Sequence, residues 1–164
     1  MTQIDAHMIP IKSCKTAELN EVCGLALLLP TDEFGAKFLV TSHDESMAVF
    51  LGGDYVHHAF PTAQTANWKG LVIENVEIEV DLASIYSLEK EEPYLGSIIL
   101  DGSSVKIVAR VKNGGWTETR AVALNNGECT ETSSTRVGFT RWQAIMRDGD
   151  VLRVVHESNI ERKV

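Results

Sequence analysis

Thiols are scarce in this 164-residue chain: Cys14, Cys23 and Cys129 are all there are. An odd count without C-x-x-C spacing excludes a disulfide framework and a cysteine zinc site, and it suits a reducing cytoplasm. Long apolar runs are missing too, and nothing approaches the ~18 residues of a membrane helix. Residues 1–12 (MTQIDAHMIPIK) lack a basic stretch followed by an apolar one, so no signal peptide is expected. Positive charge is in deficit. Fifteen Lys and Arg stand against 23 Asp and Glu, a formal net charge of −8. That excludes a general binder of nucleic-acid backbones, which needs a basic surface. It permits a basic protein partner.

Catalytic signatures are absent as well. No G-x-S-x-G elbow, P-loop, G-x-G-x-x-G or H-E-x-x-H is present. The glycine pairs Gly52–Gly53 and Gly114–Gly115 fit turns. Among the histidines, His43 sits with Asp44 and Glu45, while His57 and His58 follow Asp54. Those two groups flank a strand too long for one metal ion to span. Adjacent His57 and His58 point to opposite faces if extended, so only one can serve a given pocket. No metal and no cofactor are expected.

What the sequence does contain is alternation. In LVIENVEIEVDL (71–82), Val76, Ile78, Val80 and Leu82 share one face, with Glu77, Glu79 and Asp81 on the other. Upstream, Leu71 and Ile73 are in the opposite phase. A period-2 pattern cannot change face without an extra residue, which predicts a bulge or bend at Glu74–Asn75. Strands are also expected at 36–42 and 46–52, joined by a polar turn, and at 97–100. A hairpin at 105–112 and 116–124 is expected to turn over three residues, Asn113–Gly115. Its Lys106, Arg110 and Lys112 offer cross-strand partners for the acidic row. A second hairpin, 136–147 with 150–157, turns at Asp148–Gly149. Residues 125–135 read as a polar loop.

Two helices are expected. Over 16–29 the apolar spacing of Leu19, Val22, Cys23, Ala26 and Leu27 is helical, and Pro30 forces a stop. Residues 84–92 suit a short helix capped by Ser84 and ended by Pro93. The fold class is therefore mainly β: an antiparallel barrel or sandwich of about eight strands with these two helices, the alternative being α+β. Residues 1–157 form one domain, and 158–164 a solvated tail.

Function is read mostly by elimination. The first reading is a non-catalytic cytoplasmic β domain that binds a protein partner, with a basic-surfaced one favoured by the charge. The alternative is a small-molecule site, with or without metal- or histidine-dependent catalysis, in a barrel mouth near the loop 54–69. Its candidate ligand-binding residues are Tyr55, His57, Trp68 and Trp116. A nucleic-acid or membrane partner is not expected, and exposed sheet edges would permit a homodimer.

Overall fold

In a computed structural model the chain is mainly β. The structure describes residues 13–14, 24–30, 37–41, 46–61, 70–101, 104–132 and 136–162. In chain order the strands are β1 (Ser13–Cys14), β2 (Gly24–Pro30), β3 (Lys37–Thr41), β4 (Ser46–Phe50), β5 (His58–Pro61), β6 (Gly70–Ile73), β7 (Glu77–Val80) and β8 (Ile85–Ser87). They continue as β9 (Ile98–Asp101), β10 (Ser104–Asn113), β11 (Trp116–Ala123), β12 (Cys129–Thr130), β13 (Val137–Phe139), β14 (Arg141–Asp148) and β15 (Val151–Asn159).

Twelve strands make one sheet. A second sheet is built from β15, β14 and β7. Neither closes into a barrel among the described strands, which corrects the barrel expectation. The two sheets share one core: Leu27, Phe38, Val40 and Ile107 of the large sheet pack with Trp142, Ala144, Met146 and Val155 of the small one. Phe38 and Trp142 stack across the gap with ring centroids 5.6 Å apart.

The expected bend is present. Asn75 takes φ +57°, and the strand breaks there, with β6 in the large sheet and β7 in the small one. The chain crosses a second time at Thr140. Val137–Phe139 belongs to the large sheet and Arg141–Asp148 to the small one, so 136–147 is two strands and not one. The crossing is held by Thr140 N–H donating to Ser84 O at 3.3 Å and by Arg141 N–H donating to Ser84 Oγ at 3.0 Å.

Both helices fail where they can be seen. Residues 24–30 are β2, a central strand paired with β3 and β6; residues 16–23 lie outside the described residues. Every position from Leu25 to Leu29 is apolar, so the segment has no wet face to present as a surface helix. It suits a strand covered on both sides. Across 84–92 only a 3-10 turn at Leu82–Ser84 is helical, with Asp81 as its cap accepting from Ala83 N at 2.9 Å. After it Ser84, Tyr86 and Leu88 are buried while Ile85 and Glu89 are exposed. Burial at every second residue makes β8 a strand.

Two registers also differ from expectation. In the β10/β11 hairpin Asn113 pairs with Trp116 and Arg110 with Thr119, so the turn is the two residues Gly114–Gly115 and not three. In the β14/β15 hairpin Asp148 pairs with Val151, so Gly149–Asp150 is the turn. In each case the first turn residue is a glycine at φ +61°, a conformation that a two-residue hairpin turn requires and glycine adopts at little cost. The loop 125–135 contains β12, which pairs with β11. Loop 54–69 contains β5, and its residues 62–69 lie outside the described residues. Ser158 and Asn159, expected in the solvated tail, extend β15.

Candidate functional site

The large sheet forks at β10. One edge of β10 is covered along most of its length by β11. The other is shared: β9 pairs antiparallel with 104–107, and β5 pairs parallel at 110–111. At the fork Val108 N–H donates to Ser97 O at 3.0 Å, and Arg110 N–H donates to His57 O at 2.7 Å. Main chain from two arms therefore meets one strand within three residues.

His57 occupies the fork. It sits at φ +66°, uncommon for a residue with a side chain. Its N–H donates to Phe50 O at 2.8 Å. The imidazole packs on Gly96, and a Cβ at that position would overlap the ring. Gly96 itself has φ +83°, so both its conformation and the space demand glycine. From the small sheet, the indole N–H of Trp142 donates to Gly96 O at 2.8 Å, and the rings of Trp142 and His156 lie 5.5 Å apart. Burial lowers the pKa of His57, helped by the charges of His58 and Arg110. Burial lowers that of His156 too, with His57 adding to it. Both imidazoles are thus neutral at pH 7. Among the described residues no three His, Cys, Asp or Glu side chains converge as a metal site would need.

His58 faces the other way, although His57 at φ +66° is not extended. Its ring stacks on Phe60 at 6.1 Å with planes 18° apart. Tyr55 meets Phe50, His58 and Phe60 edge-on at 5.9–6.1 Å. Tyr55 is 45% exposed. Of the sequence-derived residues, Tyr55 and His57 therefore lie in one chain segment but on opposite sides of the sheet. Trp116, 66% exposed, is at the hairpin tip. It lies across from Asn113, on the face opposite Lys112 and Arg110, and its N–H donates to Glu118 Oε1 at 3.1 Å. Trp68 lies outside the described residues. Among the described residues, Tyr55 and Trp116 stand on different faces of the large sheet.

The outer face of the small sheet is acidic. Glu77 and Glu79 on β7, with Asp81 just after it, share it with Glu157 on β15, against two cations, Arg141 and Arg147 on β14. Arg141 pairs with Asp81 at 3.1 Å and Arg147 with Glu77 at 3.5 Å. These arginines, not Lys106, Arg110 and Lys112, balance the row, because β7 and β10 are in different sheets. Glu79 receives Gln143 Nε2 at 2.9 Å. Glu157 makes no ion pair among the described residues. A cleft of about 850 Å³ opens here, lined by Glu79, Asp81, Leu82, Arg141, Gln143 and Glu157.

Residues 16–164 match the family described as "Uncharacterised protein y4lG". The chain belongs to the y4lG family. It is 29% identical over 144 residues to "Uncharacterized protein y4lG" of Sinorhizobium fredii (strain NBRC 101917 / NGR234), covering 87% of this chain and 88% of that one. No solved structure matches. The match to the y4lG family spans both sheets and the fork between them. No helix of the described residues is long and apolar enough to cross a membrane.

The fork was missed in the sequence. Glycine at 96 and the pair at 57–58 were visible, but their meeting is a matter of non-local pairing. The acidic row was visible, and only its partners were misassigned.

Proposed function

We propose that this chain is a non-catalytic binding module of the cytoplasm whose small sheet docks a basic-surfaced protein. One observation carries this reading: the outer face of that sheet holds four carboxylates against two guanidiniums, and its cleft is bordered by Leu82, 73% exposed. An exposed leucine in a cleft with Glu79 and Glu157, the two carboxylates without an arginine partner, offers a partner an apolar anchor and a charge to complement. The scarcity of cysteine is compatible with the assigned compartment.

The test uses a peptide of alternating lysine and leucine as the basic probe, followed by fluorescence anisotropy. Raising salt from about 50 to 300 mM is expected to weaken binding by roughly tenfold, since exposed charges are screened. The double substitution Glu79→Gln with Glu157→Gln should weaken it similarly at low salt. Affinity that ignores both salt and the substitutions would overturn the reading.

A further inference from the structure

One face of the large sheet carries two exposed cations, Arg110 and Lys112. In a chain with a net charge of −8, Arg110 and Lys112 are exposed and make no ion pair among the described residues. They are two residues apart on β10, so their side chains leave the same face of the sheet roughly 7 Å apart. Arg110 is in register with His58 on the parallel neighbour β5, and with Thr119 on β11. Beside them on that face stand His58 and Phe60, stacked, with the half-exposed ring of Tyr55 set edge-on to both. Thr119, also exposed, is the cross-strand partner of Arg110 on the same face.

We propose that this face binds a mononucleotide, its base against Tyr55, His58 and Phe60 and its phosphate between Arg110 and Lys112 with Thr119 donating. Aromatic side chains accept any base, because every base has a π face. Two cations this far apart ask for a group with several charged oxygens, which a phosphate supplies and a single carboxylate does not. Burial, and then Arg110, lower the pKa of His58, which favours the uncharged ring beside the guanidinium. A lone mononucleotide also suits the acidic balance of the chain, which would repel the length of a polynucleotide. The site is independent of the acidic face of the small sheet, so either can fail without the other.

The experiment is calorimetric titration of the full chain with adenosine monophosphate, adenosine, inorganic phosphate and a single-stranded oligoadenylate. Adenosine monophosphate is expected to bind at least about tenfold more tightly than adenosine or phosphate alone, as ring and anion are recognised together. Arg110→Ala and Tyr55→Ala should each lose about tenfold. Trp116→Ala, on the other face, should change nothing. Binding of adenosine as tight as that of the nucleotide would overturn the proposal. So would a nucleotide affinity unmoved by Arg110→Ala. A preference for the oligonucleotide beyond its content of nucleotides would overturn it in favour of a strand-binding surface. Circular dichroism of Arg110→Ala guards against loss of fold, and Arg110→Lys should restore part of the affinity.

Discussion

The indole N–H of Trp142 reaches from the small sheet to the carbonyl of Gly96, in the turn that leads into β9 of the large one, at 2.8 Å. Gly96 in turn bears the imidazole of His57 on its bare Cα. Inter-sheet hydrogen bonding and glycine are thus coupled at one point, the fork of the large sheet.

Gly96→Ala should therefore cost more than an ordinary surface substitution. The added methyl meets the His57 ring, and the residue sits at φ +83°. A loss of about 1–3 kcal/mol is expected, as for other side chains forced into left-handed backbone. Urea unfolding monitored by circular dichroism measures it, and an unchanged midpoint would contradict the packing described.

Trp142→Phe keeps a ring for Phe38 but removes the donor to Gly96 O. Leaving that buried carbonyl without its partner is expected to cost about 1–3 kcal/mol. Trp142→Ala also opens a cavity between the sheets and should cost about 3–5 kcal/mol. The difference between the two variants separates the hydrogen bond from the packing.

Acid should destabilise the fold through the buried imidazoles. Burial keeps His57 and His156 below their ordinary value of 6.5, so around that pH the unfolded chain binds more protons than the folded one. Their contribution is fully present above pH 6.5 and is lost as the pH falls through that value. It levels off once the folded state is protonated too. The urea midpoint should drop between pH 7.5 and 5.5, and His57→Gln with His156→Gln should flatten that drop. Identical slopes in the wild type and the double variant would count against it.

Asn75 tests the corner between the sheets. At φ +57° a glycine should be accepted with little change, whereas Asn75→Val should cost about 1–2 kcal/mol. Equal stability of both variants would mean that the corner relaxes.

Much of this was legible in local pattern. The change of phase at Glu74–Asn75 located one crossing between sheets, because alternation cannot shift without a break. The same clue stood at Thr140, where Phe139 and Trp142 are out of phase across the polar pair Thr140–Arg141. β2 was read as helical because Ala26 and Leu27 fall at helical spacing with the residues before them. Its two neighbours in the sheet, β3 and β6, decide otherwise, and no spacing reports them. Alternation at Ser84, Tyr86 and Leu88 was present, yet polar Ser84 hid its own burial. The site residues fared less well for a related reason. Tyr55 and Trp116 are both exposed aromatics, but Tyr55 packs against His58 and Phe60 on one face while the register of β11 puts Trp116 on the other.

The parallel pairing of His58 with Arg110 has a consequence for how the molecule assembles. It joins the arm of β2–β5 to the arm of β9, β13 and β8, across a long interval of chain. Closing such an interval costs chain entropy before any contact repays it, so this junction should be among the last to form. The pairing of the β5 aromatics with Arg110 and Lys112, and the packing of His57 on Gly96, do not exist in either arm alone. Any ligand that requires them would then report on completed folding, and in refolding experiments its binding should lag behind the recovery of strand signal.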